Sequence, residues 1–163
     1  MVSNGLPKVL EFNARLGDPE TQPILVRMKG DIVPLFEACI DGELDKYRVD
    51  WDNRVSVCVV MASKGYPGKY EKGKTIEGLQ IAAQIRDIVV FHAGTTVAGG
   101  QLVTDGGRVL GVTGLGENIQ KAIEKTYEAV QSITWEGAYY RTDIGQKALK
   151  LEKGESATLN AER

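Results

Sequence analysis

The run Glu11-Phe12-Asn13-Ala14-Arg15-Leu16-Gly17-Asp18-Pro19-Glu20 follows the short apolar stretch Val9-Leu10 and sets a carboxylate, a carboxamide and a guanidinium at alternate positions. In a strand, alternate residues share a face, so Glu11, Asn13 and Arg15 would point the same way. Glu and Asn offer hard oxygen ligands to Mg2+, and Arg offers a planar fork of donors to an oxyanion, so such a row suits a polyphosphate site. The same spacing also fits a strand with a solvated face that runs into a Gly17-Asp18-Pro19 turn. Spacing alone leaves both readings open.

Further segments follow in a fixed order. PKVLEFNARLGDPETQPIL begins at Pro7, SVCVVMASKGYPGKY at Ser56, FHAGT at Phe91, TDGGRVLGVTGLG at Thr104 and TWEGAYYRTDIG at Thr134. Together they resemble the C-terminal region of the phosphoribosylamine-glycine ligase family, within the ATP-grasp superfamily, over about residues 1 to 150. Several ordered motifs are far more specific than one Gly-rich loop.

The resemblance implies an α+β chain: residues 1–45 as the last segment of an ATP-grasp domain, 50–150 as a small, mostly antiparallel C-terminal domain, and 151–163 as a polar, disordered tail. It assigns Glu11 and Asn13 as Mg2+ ligands that also contact nucleotide, with Mn2+ as the alternative metal, and Arg15 as the catalytic cation that stabilises the phosphorylated carboxylate and the transferring phosphoryl group. Asp18 and Glu20 become candidate contacts to substrate, although a turn that satisfies its own backbone explains Glu20 equally well. The implied reaction consumes ATP, glycine and 5-phosphoribosylamine in purine biosynthesis through an acyl phosphate. Such chemistry is a matter of offsetting negative charge and keeping water away.

Length complicates that expectation. The resembling enzymes are more than twice as long, and no G-x-x-x-x-G-K-[ST] motif occurs among these 163 residues. The chain is therefore expected to be a C-terminal fragment, inactive alone and completed by an N-terminal portion of the same ligase. At its start, Ser3-Asn4-Gly5 reads as a turn whose first strand, Met1-Val2, is too short to have a partner. A rival of another class is a non-catalytic module that docks, or self-associates, through an exposed sheet edge. A metallohydrolase is disfavoured, since no His set accompanies Glu11.

Composition narrows the partners. Apolar residues make up 42%, charged residues 26%, and the formal net charge is -2. Without a basic excess, nucleic acid is not an expected partner. No apolar run approaches the length of a membrane span and no charged leader opens the chain, so the expectation is a cytoplasmic protein. Cys39 and Cys58 sit within apolar patterns and read as buried free thiols.

The periodicity predicts a helix over residues 31–41, capped by Asp31, with Pro34 in its first turn, Gly42 past its end, and Ile32, Leu35, Phe36, Cys39 and Ile40 on one face. From Val55 the period becomes two, with Val55, Val57, Val59 and Met61 in alternation, so a strand covered on both faces is expected. The loop that follows reads either as a flexible connection or, by resemblance, as a wall of the ligand cleft formed by Tyr66, Pro67 and Gly68. Lys64 and Lys69 within it could attract phosphate or be merely solvated. His92 ends a strand over 88–92 and reads as structural, lacking a local triad partner. Asp105-Gly106-Gly107 predicts a hairpin between residues 101–104 and 108–112. After the Gly114-Leu115-Gly116 turn, a long helix carries Ile119, Ile123, Tyr127 and Ala129 or Val130 inward. The cluster Tyr139-Tyr140 with Arg141, Thr142 and Asp143 is expected to clasp the end of the domain.

Overall fold

In the computed structural model, which describes residues 2–3, 6–10 and 12–152, the chain opens with β1 (Val2–Ser3) and β2 (Leu6–Pro7). They pair antiparallel, Val2 with Pro7 and Ser3 with Leu6. The opening strand thus has a partner after all, in Leu6–Pro7. Residues 8–10 and 12–16 belong to no strand, so the alternating Asn13 and Arg15 are not on a strand face. Backbone pairing needs a neighbouring edge, and none of the four described sheets includes this segment.

The Gly17–Glu20 turn leads into α1 (Thr21–Leu25), with the backbone N-H and the hydroxyl of Thr21 both donating to the Gly17 carbonyl. Next, β3 (Met28–Lys29) pairs with β4 (Asp50–Trp51) around α2 (Val33–Asp41) and a short 3-10 turn (Leu44–Lys46). The helix α2 starts two residues later than predicted, with Ile32 and not Asp31 at its N-cap and no side-chain cap hydrogen bond, while its end at Gly42 is as expected. Asp31 Oδ1 accepts from the Val33 N-H at 2.9 Å, Pro34 lies in the first turn, and Gly42 ends the helix at φ 69°. Its burial is not as expected: Ala38 is buried, whereas Phe36 and Ile40 are 53% and 84% exposed. Cys39 is exposed too, and Cys58 only partly buried, which corrects the expectation of two buried thiols; both are free.

The centre of the fold is a four-stranded antiparallel sheet. It consists of β5 (Val55–Ser63), β6 (Ile88–His92), β9 (Arg108–Gly116) and β10 (Ala138–Tyr140), in the order β10-β5-β9-β6, with β7 (Thr95–Ala98) and β8 (Gln101–Thr104) forming a separate ribbon. The predicted hairpin across Asp105-Gly106-Gly107 does not form, since β8 pairs with β7 and β9 pairs with β5 and β6. Gly99 and Gly100 close the actual hairpin at φ 57° and 79°, between the paired Ala98 and Gln101. Both signs are positive, as the tight two-residue turn compatible with strand twist demands.

One face of this sheet is covered by α3 (Leu79–Ala82) and α4 (Ile119–Ser132). Val57, Val59 and Met61 of β5 meet Ala122, Ile123, Ala129 and Val130 there, all buried. Asn118 caps α4, its Oδ1 accepting from the Lys121 N-H at 2.9 Å. Gly114 and Gly116 let strand and helix approach, because a Cβ at Gly116 would collide with the Ala122 backbone and one at Gly114 with Thr126. The opposite face carries α1: Ser56 Oγ donates to the Pro23 carbonyl at 2.6 Å, and Gln22 lies beside Gly111, near Cys58.

After β10 comes α5 (Gln146–Glu152), which takes up the first two residues of the expected tail; the rest of it lies outside the described residues. Tyr127 closes the end of the domain by donating to the Arg141 carbonyl at 2.7 Å while accepting from the Ile144 N-H at 3.1 Å. At the other end, Asp87 accepts from Arg54 at 2.8 Å and Lys125 at 2.9 Å, joining the starts of β5 and β6 to α4.

Candidate functional site

A change of register at the start of β9 builds the site. Val59 faces Val112 and Met61 faces Leu110, but Ala62 faces Arg108, so Val109 is an extra residue on β9. Such a bulge breaks the two-residue alternation. Val109 and Leu110 are both fully buried. Arg108, which strict alternation would direct into the core with Leu110 and Val112, instead shares the face of Ala62, Cys58 and α1.

On that face the Arg108 guanidinium reaches the turn before α1. Its Nη1 lies 3.1 Å from the Asp18 carbonyl oxygen and 3.1 Å from Asp18 Oδ1. The same guanidinium stands 5.9 Å from the Tyr66 ring centroid, within range of a cation-π contact. Tyr66 lies over Gly107, where a Cβ would collide with the ring. Two turns hold this loop, Tyr66 N-H to the Ser63 carbonyl at 3.1 Å and Gly68 N-H to the Gly65 carbonyl at 2.7 Å.

Asn13, Arg15 and Asp18 line one open cleft of about 580 Å3 with Tyr66, Ala93 and Arg108. Four of the residues singled out in the sequence, Asn13, Arg15, Asp18 and Tyr66, are thereby brought together. Glu20 is not in the lining; its carboxylate folds back on Gly17, and its backbone carbonyl begins α1. Glu11 lies outside the described residues. Among the described residues, two guanidiniums against one carboxylate line the cleft, a positive balance suited to an anion. Arg15 donates to the neighbouring Leu16 carbonyl at 3.0 Å and is otherwise exposed to the cleft side of the chain.

Arg108 was not legible as a site residue. Its only signal was an arginine directly after a glycine pair. His92 takes the structural place expected of it, its Nδ1 3.2 Å from Thr95 Oγ1 at the end of β6. Burial pushes the Cys58 thiol above its ordinary pKa, so it stays protonated at neutral pH and is a poor nucleophile. A second cleft of about 590 Å3 opens on the other side of the Tyr66 loop, lined by Lys64, Lys69 and Tyr70. There Lys74 bridges Glu71 at 2.8 Å and Glu136 at 2.9 Å, so carboxylates already offset part of its positive charge. Among the described residues, no group of three or more His, Cys, Asp or Glu side chains could hold a metal ion, and no helix is long and apolar enough to cross a membrane.

Residues 56–147 match the family model of the phosphoribosylglycinamide synthetase C domain. The chain belongs to this family. Phosphoribosylamine-glycine ligase of Pseudomonas aeruginosa is 52% identical over 153 residues, which are 94% of this chain and 35% of that protein. The ligase of Rhodopirellula baltica is 49% identical over 150 residues, 91% of this chain and 34% of its own length. The crystal structure of the Thermotoga maritima ligase superposes with a TM-score of 0.65 at 36% identity, covering 88% of this chain and 34% of that one. The chain thus spans about a third of the length of these relatives and corresponds to their C-terminal part.

Proposed function

We propose that the chain is the C-terminal part of a phosphoribosylamine-glycine ligase and contributes one wall of its ATP site. In this reading the terminal phosphoryl group of ATP passes to a glycine carboxylate oxygen and ADP leaves. The amine of 5-phosphoribosylamine then attacks the acyl carbon, a C-N bond forms, and phosphate departs as the amine gives up a proton. The observation that carries the reading is the meeting of Asn13, Arg15 and Asp18 with Tyr66 and Arg108 around one cleft.

Each side chain has a role suited to its chemistry. Arg15 offers donors to the transferring phosphoryl group, where preorganised positive charge lowers the barrier most. Asn13, a neutral oxygen donor lining the cleft, fits a hard cation, and the sequence pattern adds Glu11 as its carboxylate partner. When bound, Mg2+, or Mn2+ in its place, would neutralise charge on the nucleotide phosphates. Asp18 is a candidate contact for the substrate amine, and Glu20 supports the turn that presents it. The cleft is open on its far side, so the chain alone cannot exclude water from an acyl phosphate. Ligation then requires the remaining two thirds of the enzyme.

Calorimetric titration with Mg2+ and a non-hydrolysable ATP analogue tests this. Binding is expected when the chain is mixed with the N-terminal portion of the ligase, and weak or absent binding with the chain alone; no binding in the folded mixture would overturn the reading. The exposed Val33, Phe36 and Ile40 of α2 favour a second reading, a docking module without catalytic duty. Replacing Asn13 and Arg15 by Ala separates the two: activity of the mixture falls in the first case and assembly alone is preserved in both.

A further inference from the structure

We infer that Arg108 is a positioning residue that holds the Gly17–Glu20 turn, and through it Asn13 and Arg15, against the Tyr66 loop. The inference rests on the ligase reading for its consequence, not for its geometry. The segment that carries Asn13 and Arg15 belongs to no strand, and the side chains of Val9, Leu10 and Phe12 are 73%, 71% and 91% exposed. Sheet pairing therefore does not fix where these residues point.

Arg108 supplies a fixed point close by. Its guanidinium engages both oxygen types of Asp18, backbone and side chain, three residues from Arg15. Both contacts come from Nη1, while the delocalised cation stands 5.9 Å from the Tyr66 ring centroid, so one guanidinium touches the turn and faces the loop at once. Three features of the sequence serve this arrangement. The bulge at Val109 turns Arg108 out of the core, Gly107 leaves room for the Tyr66 ring, and Thr21 ties the far side of the turn to the Gly17 carbonyl. Arg108 thereby joins parts of the chain 90 residues apart at the mouth of the cleft.

Arg108→Ala and Arg108→Lys in this chain test the inference by two readouts. Hydrogen exchange at the Thr21 amide, bonded to Gly17, should accelerate by about tenfold or more in Arg108→Ala, since hydrogen bonds to charged groups are the stronger ones. Exchange of the β5 and α4 amides should not change. In the mixture with the rest of the ligase, kcat should fall by about tenfold while KM for Mg-ATP stays within about threefold, with Arg108→Lys falling in between for both readouts. Unchanged Thr21 exchange overturns the inference, and so does faster exchange with unaltered kcat, which would mark a merely structural contact. Should Arg108→Ala fail to fold, the same comparison is made with Arg108→Lys. An inactive wild-type mixture overturns the ligase reading instead, and exchange at Thr21 then still decides whether Arg108 holds the turn.

Discussion

Asp87 shows how one residue can organise several elements. It sits at φ 67° and accepts from Lys125 and Arg54, whose hydrogen bonds, that from Lys125 first, hold its carboxyl below the usual carboxylate range. A depressed folded value means that the contribution is complete above the unfolded pKa, near 3.9, and is lost as pH falls through the lower folded value. Asp87→Asn keeps a side chain that tolerates positive φ and removes the charge. It should lower stability by about 1 kcal/mol, or about 3 °C in Tm, at neutral pH. That difference between wild type and variant should persist down to about pH 5 and shrink below about pH 4, as read by thermal unfolding across pH. A difference that grew on acidification would contradict the assignment.

Elements differ in how clearly the sequence announced them. The alternation of Val55, Val57, Val59 and Met61, and the 3.6-residue rhythm of Ile119, Ile123 and Val130, were legible because those side chains meet each other in the core. The hairpin that the sequence predicts between β8 and β9 does not form, because two glycine pairs compete within ten residues and local turn chemistry favours both. Long-range pairing decided: β9 lies between β5 and β6, so β8 turns back on β7. At the hairpin that does form, Gly99 has open space around a Cβ and an αL backbone. Gly99→Asn should therefore be within about 0.5 kcal/mol of wild type, while Gly99→Val should cost about 1 kcal/mol or more. Gly116→Ala is expected to be worse, about 2 kcal/mol or more by urea unfolding, because its methyl group would meet the α4 backbone rather than water. Arg108 escaped notice for a related reason, since a bulge cannot be seen in the alternation it interrupts.

At the scale of the molecule, the apolar surface is unevenly placed. Phe12, Phe36 and Ile40 are exposed on the segment before β5, whereas the β5–α4 core is closed. The sequence placed Phe36 and Ile40 on one helix face correctly, but periodicity does not say what covers that face. In the ligase reading the rest of the enzyme covers it. Ile40→Lys should then leave the stability of the isolated chain within about 0.5 kcal/mol. The same substitution should weaken assembly with the remaining two thirds of the ligase by at least about tenfold, given the cost of burying an unpaired ammonium, as measured by calorimetric titration. Equal assembly of both forms would place the interface elsewhere.

The reconstituted reaction addresses the whole account at once. The chain and the N-terminal portion of the ligase are assayed separately and together for ADP release that depends on both glycine and 5-phosphoribosylamine. The account predicts turnover in the mixture alone, abolished by Arg15→Ala or Asn13→Ala in this chain. Turnover that survives both substitutions, or a well-assembled mixture with none, would contradict it.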